Sequence, residues 1–304
     1  MRRILIVGSG DIAKRAIPWL CRRFKVFALI RSQENAADIR KLGAIPILGD
    51  LDRFSSLKRL SGLAEIVLHC APPSNTSLID HRTRRLLACL SAGGSLPCRV
   101  VYISTSGVYG NCGGALIPET RPTHPESDRA ARRVAAEQQL RSWSKHSKAA
   151  LCILRAPGIY AADRLPLARL AARTPAPIAE QDNYSNHIHA QDLATALCLA
   201  SFRGRGGRSF NVNDDSKLKM AEWFDLVADA FDQPKPPRMP LTQLREALNP
   251  IQWSFIRESR RLDNRRVKKE LGLRLAYRTP IDLLKEIQAT ISSKVDDVHA
   301  PTEQ

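Results

Sequence analysis

No run of apolar residues in this chain is long enough to cross a bilayer, so a helical membrane protein is excluded as a reading. The apolar start, Ile4 to Val7 behind Arg2 and Arg3, is too short for the core of a signal peptide, and Asp11 and Lys14 break the apolar character after it. The expected location is the cytoplasm. Paired cysteines are also missing. The seven cysteines (Cys21, Cys70, Cys89, Cys98, Cys112, Cys152 and Cys198) are odd in number and contain no C-x-x-C. That argues against a disulfide framework and against a zinc site. Acidic side chains are few: 30 against 47 basic ones, a formal net charge of +17. The basic residues cluster at 82–85, 129–133, 257–261 and 265–269 without a recognition-helix signature or an aromatic–basic platform. A dedicated nucleic-acid partner is therefore not expected, and a small anionic ligand suits the charge better.

The informative stretch is the beginning. Ile4-Leu5-Ile6-Val7 reads as a buried strand that runs into Gly8-Ser9-Gly10-Asp11-Ile12-Ala13, a G-x-G-x-x-A turn, and then into a helix. Strand, glycine turn and helix together are the context in which such glycines bind a dinucleotide. Gly8 permits the tight turn, Gly10 lets the backbone approach a pyrophosphate, and Ala13 lets the helix pack close to the strand. Free N–H groups at Asp11 and Ile12 then face the phosphates. The second strand, Lys25 to Ile30, ends at Arg31. An acid there would bind the ribose of NAD, whereas Arg31 pairs with the extra phosphate of NADP. NADP is the expected cofactor, ahead of NAD.

Strands and helices alternate through residue 155, which predicts an α/β, Rossmann-type doubly wound parallel sheet. Ligands of such sheets lie beyond the carboxyl ends of the strands. That places Asp50 and Leu51 at the adenine, Ala71 and Pro72 under the cofactor, Thr105 after strand five, and Pro157 after strand six. Asp50 has a second reading, as a helix cap. Residues 1–155 form the expected NAD(P)-binding domain, 156–295 a smaller mixed substrate lobe interleaved with it, and 296–304 a disordered tail. His187 and His189 share a strand face, but two ligands without a third are no metal site. Asp192 caps the next helix or fixes a histidine.

Laid out this way, the chain resembles the extended short-chain dehydrogenase/reductase superfamily, in its NAD(P)-dependent epimerase/dehydratase group. Tyr102 to Gly110, Pro157-Gly158-Ile159-Tyr160, Asn186 to Ala194 and Phe210-Asn211-Val212 carry the resemblance over nearly the full length. It implies that Thr105 stands at the catalytic Ser/Thr position. It also implies an oxidoreductase or epimerase-like activity on a carbonyl, alcohol or nucleotide-sugar substrate, and a homodimer through the helix Asp128–Lys145. The family's Tyr-x-x-x-Lys pair is absent. Counting back by fours from Glu137 puts Arg133 at the Lys position and Arg129 at the Tyr position, on one helix face. Arginine stays protonated and cannot act as general acid or base. Tyr109 and Tyr160 are then the candidates for a relocated proton donor. The competing reading is a non-catalytic NADP-binding regulator or scaffold.

Overall fold

A computed structural model describes residues 1–298 of the chain. Its centre is a seven-stranded, wholly parallel sheet. The first five strands are β1 (Arg3–Val7), β2 (Lys25–Ile30), β3 (Ile45–Leu48), β4 (Ile66–His69) and β5 (Arg99–Thr105). Across the sheet the order runs β3, β2, β1, β4, β5, then Ala150–Ala156, then Arg208–Asn211 at the far edge. The last strand and the helix Ala190–Arg203 come from beyond residue 155 and complete the sheet and one of its layers.

Parallel strands covered on both faces read as continuous apolar runs, and Ile4 to Val7 are all fully buried. The helices α1 (Asp11–Cys21) and α2 (Ala36–Lys41) and the helix Ala190–Arg203 pack on one face through Ile12, Ala16, Ile17, Leu20, Ile39, Leu193 and Leu197. The helices α3 (His81–Ser91) and α4 (Asp128–Ser147) pack on the other through Leu86, Leu90, Ala136 and Leu140. The second lobe has its own core around Tyr160, Trp223, Phe224 and Leu284. The final helix, Pro280–Val298, runs into the segment expected to be a disordered tail; 299–304 lie outside the described residues. No helix among the described residues is long and apolar enough to span a membrane.

Neighbouring β1 and β4 leave the sheet toward opposite sides, and their carboxyl ends open a crevice there. One buried ion pair stiffens the adjoining region. Glu137 of α4 accepts from Arg155 Nε at 3.0 Å and Nη2 at 2.7 Å, and from Ser104 Oγ at 2.7 Å. The residue used to count back to Arg133 and Arg129 is therefore locked against the sheet, which fixes the rotation of α4.

Candidate active site

Two cavities lie over the carboxyl edge of the sheet. The first, of about 760 Å³, is lined by Gly8, Gly10, Asp11, Ile12, Arg31, Asp50, Leu51, Ala71 and Pro72. Every cofactor residue expected from the sequence is in that lining except Pro157. Pro157 lines the second cavity, and Ile159, two residues along in the short strand Gly158–Tyr160, lines both.

The glycine turn shows why its residues are small. Gly8 has φ +96, and a Cβ there would sit 2.7 Å from Ala71 Cα. Gly8 is thus required by the contact between β1 and the β4 exit. Gly10 caps α1 with ordinary extended backbone, and a Cβ on it would meet nothing within 4 Å. Gly10 therefore faces the open cavity, as a residue beside a pyrophosphate must. Asp50 forms a turn, accepting from Asp52 N at 2.9 Å, and is not a side-chain cap of the 3-10 helix Phe54–Leu60. Arg31 is exposed at the mouth. Sequence reasoning missed Arg82, which lines the first cavity while held by Asp52 and by the Pro72 carbonyl at 3.2 Å. It also missed Arg164, which comes from the second lobe, lines both cavities and pairs with Asp11 Oδ2 at 3.3 Å. No local pattern marks either residue; the chain path brings them in.

The second cavity, of about 730 Å³, lies between the sheet and the second lobe. Thr105, Arg129, Arg133, Pro157 and Tyr160 line it together with Arg132, Arg169, Tyr184, His187, Trp223, Phe224, Phe255, Glu258 and Arg260. Thr105 ends β5, and its Oγ1 accepts from Gly107 N at 3.3 Å. Its hydroxyl proton is left to donate. Arg133 Nη1 donates to the Ile103 carbonyl at 2.6 Å and the Tyr102 hydroxyl at 3.1 Å. Arg129 stacks on the Phe255 ring, 4.0 Å from its centroid. Partial burial lowers its pKa, as do Arg133, Arg260 and Arg132, against the raising effect of Glu258.

Neither candidate proton donor is placed for the role. Tyr109 lines neither cavity: it is 1% exposed, packs with Val108, Ile117 and Leu262, and donates to Asn211 Oδ1 at 2.7 Å. The 3-10 turn Ser106–Tyr109 curls it into that core. Burial raises its pKa, although Arg155 lies 4.8 Å over its ring. Tyr160 does line the cavity, but its hydroxyl is buried against the Asp214 carboxyl group. Burial first, then the neighbouring Asp214 carboxylate, push its pKa up. Burial likewise holds His187 neutral, at about 4. The cap of the helix Ala190–Arg203 is His189, which accepts from Gln191 N at 3.2 Å. Asp192, expected to cap that helix or fix a histidine, instead accepts from the backbone N–H groups of Ala276 and Tyr277. Among the described residues no group of histidine, cysteine and carboxylate side chains could hold a metal.

The model of the NAD dependent epimerase/dehydratase family matches residues 19–213. The chain belongs to that family. The match begins inside α1, so the glycine turn rests on its geometry. A ketoreductase of a 4-farnesyl-dihydroquinoline-1-oxide from Stigmatella aurantiaca is 26% identical over 248 residues, 75% of this chain and 73% of the relative. A functionally unknown protein from Silicibacter pomeroyi superposes with TM-score 0.78 at 26% identity, covering 96% of this chain and 99% of the other. Thermotoga maritima UDP-glucose 4-epimerase, solved with UDP-glucose, gives TM-score 0.75 at 18% identity over 96% and 99% of the two chains. The last likeness is one of fold.

Proposed function

We propose that this family member is an NADP-dependent oxidoreductase of a small anionic carbonyl or alcohol compound. The observation that carries the reading is that the two cavities meet: Pro72, Arg133, Ile159 and Arg164 line both. A dinucleotide along the first cavity would bring its reactive end to the second. Gly8, Gly10, Asp11 and Ile12 would hold the pyrophosphate, Arg31 the 2′-phosphate, Asp50 and Leu51 the adenosine, and Ala71 and Pro72 the nicotinamide end. When bound, the cofactor supplies hydride-transfer chemistry. Thr105 polarises the reacting oxygen, and Arg129 and Arg133 bind negative charge where the family carries Tyr and Lys. The ketoreductase relative supports a carbonyl substrate. The epimerase neighbour keeps a nucleotide sugar within the class.

Calorimetric titration with NADPH and NADH tests the cofactor. NADPH binds tighter, and Arg31→Asp weakens NADPH by about 1.5–3 kcal/mol through loss of a charge-assisted contact. Equal affinity of the unaltered protein for the two refutes the assignment. The position of Tyr109 favours a second reading, a non-catalytic NADP-binding regulator, because it removes one relocated acid. NADPH binding without oxidation by any carbonyl compound would select it.

A further inference from the structure

We infer that the second cavity is built to hold a planar, conjugated oxyanion, an enolate or phenolate, so that its substrates are conjugated carbonyl compounds. This rests on the oxidoreductase reading and names its substrate class.

The cation arrangement comes first. Arg129, Arg132, Arg133 and Arg260 share one lining with a single carboxylate, Glu258. That carboxylate is already bound to Arg260 Nη1 at 2.6 Å. Among the described residues Arg129 has no hydrogen-bond or ion-pair partner; it stacks on Phe255 and feels Glu258 only at longer range. Arginine carries five N–H donors. Those of Arg129, and those of Arg133 beyond Nη1, are open to a ligand. Guanidinium groups crowded together and unpaired call for an anion between them.

Proton delivery comes second. Arginine cannot release a proton at neutral pH. The Glu258 carboxylate is engaged by Arg260, and burial holds His187 neutral, its Nε2 3.1 Å from Ser185 Oγ. The Tyr160 hydroxyl is buried against the Asp214 carboxyl group, and burial with that carboxyl raises its pKa, while Tyr109 is outside the cavity. Tyr184 is the remaining phenol of the lining; its ring lies 4.9 Å from Arg261.

The chemistry then divides substrates. Addition of a hydride, one proton with two electrons, to a carbonyl compound forms a C–H bond. The C=O π pair becomes a lone pair on oxygen. From an isolated ketone this is an alkoxide, about as basic as hydroxide, which must be protonated within the step. An enone or quinone instead takes the hydride at the carbon β to the carbonyl. The C–H bond forms there, the C=C π pair shifts to a new C=C at the carbonyl carbon, and the C=O π pair becomes the oxygen lone pair of an enolate (for a quinone, a phenolate once the ring enolises). The conjugate acid of that anion lies at about 10, as for tyrosine. Such an anion is stable beside two guanidinium groups. It takes its one proton from water after release, and the reduced nicotinamide is the reductant. Aromatic rings complete the lining: Trp223, Phe224 and Phe255 border the cavity, and Arg169 and Arg129 lie over two of these rings at 4.5 and 4.0 Å.

A binding experiment with 2-naphthol, whose absorbance distinguishes phenol from phenolate, tests this on the NADP⁺-loaded protein. The bound probe ionises one to two pH units below the free probe. Arg129→Gln or Arg133→Gln weakens phenolate binding at least tenfold, and Arg129→Lys restores part of it. A probe that stays neutral when bound, or variants that bind it as the parent does, overturns the inference. In turnover with NADPH, 1,4-naphthoquinone exceeds 2-tetralone, whose carbonyl is unconjugated, at least a hundredfold in kcat/KM. Equal values overturn the inference, and loss of that tetralone turnover in Tyr184→Phe would name the proton donor. Failure of the parent to bind NADP⁺ or NADPH at all refutes the oxidoreductase reading instead.

Discussion

Two glycines two residues apart in one turn separate a requirement of the fold from a requirement of the ligand. Gly8 sits at φ +96, where a side chain is strained, and an added Cβ would press on the Ala71 and Cys70 backbone, with Cys70 C at 2.9 Å. A left-handed residue costs about 1–2 kcal/mol. Overpacking against backbone adds about 1–3 kcal/mol. Gly8→Ala should therefore lose about 2–5 kcal/mol of stability, a fall in Tm of roughly 5–15 °C for a domain of this size. Gly10 has φ −79 and open space around the added carbon. Exchanging a capping glycine for valine costs about 1 kcal/mol or less. The new side chain, however, occupies the place of the pyrophosphate. Losing two backbone hydrogen bonds to a charged group, at about 1.5–3 kcal/mol each, removes about 3–6 kcal/mol of binding. That is between about a hundredfold and ten-thousandfold in Kd. Thermal melts and NADPH fluorescence titrations of both variants measure the two effects separately. A Gly10→Val protein that melts with the parent and binds NADPH within threefold of it would refute the placement of the pyrophosphate.

Two further outcomes are expected. Burial pushes Asp214 up to about 7, while its Oδ1 accepts from Ser216. From about pH 4 to 7 the unfolded chain releases a proton that the folded protein keeps, so stability falls as pH rises through this window, by up to about 4 kcal/mol. Urea midpoints should therefore drop between pH 5 and 8, and Asp214→Asn, which keeps the Ser216 contact, should exceed the parent at pH 8; a flat parental profile would contradict this. Arg129→Tyr with Arg133→Lys supplies a general acid on the same helix face and should raise turnover of saturated ketones about 10²-fold or more. No gain in a well-folded double variant would mean that this face does not meet the reacting atoms.

The sheet was legible because its signals are local. Ile4 to Val7, Val26 to Ile30 and Ile66 to His69 are short apolar runs bounded by turns, and each became a strand whose end lines a cavity. Thr105, Arg129 and Arg133 were reachable through the family resemblance, which supplied Glu137 as an anchor; a strand end and a four-residue helical repeat then fix their direction. Tyr109 was not. Its neighbours in sequence place it on the loop after β5, but its burial depends on Asn211 and Leu262, about a hundred residues further on or more. Arg82, Arg164, Tyr184 and Glu258 were illegible for the same reason. Each is one charged or aromatic residue in a helix or loop, and only tertiary packing brings it to a cavity. Pro157 shows the limit in small: it reaches the second cavity alone, while Ile159, two residues along, reaches both.

The formal charge of +17 acquires a location from this arrangement. Much of the basic surface is neutralised in place, as Arg3 is by Glu65, Arg82 by Asp52 and Arg265 by Asp263. In the second cavity the balance is different, because Arg129, Arg132 and Arg133 face a lining whose one carboxylate is held by Arg260. Like charges at this spacing repel, and an exposed helix gains nothing from placing three arginines within one and a half turns. The cost is offset when a ligand brings negative charge. In the function we propose, the same helix face takes the place of the family's pair of proton donor and cation. An exchange of proton transfer for anion binding therefore accounts for both departures at once, the missing Tyr-x-x-x-Lys and the unpaired arginines.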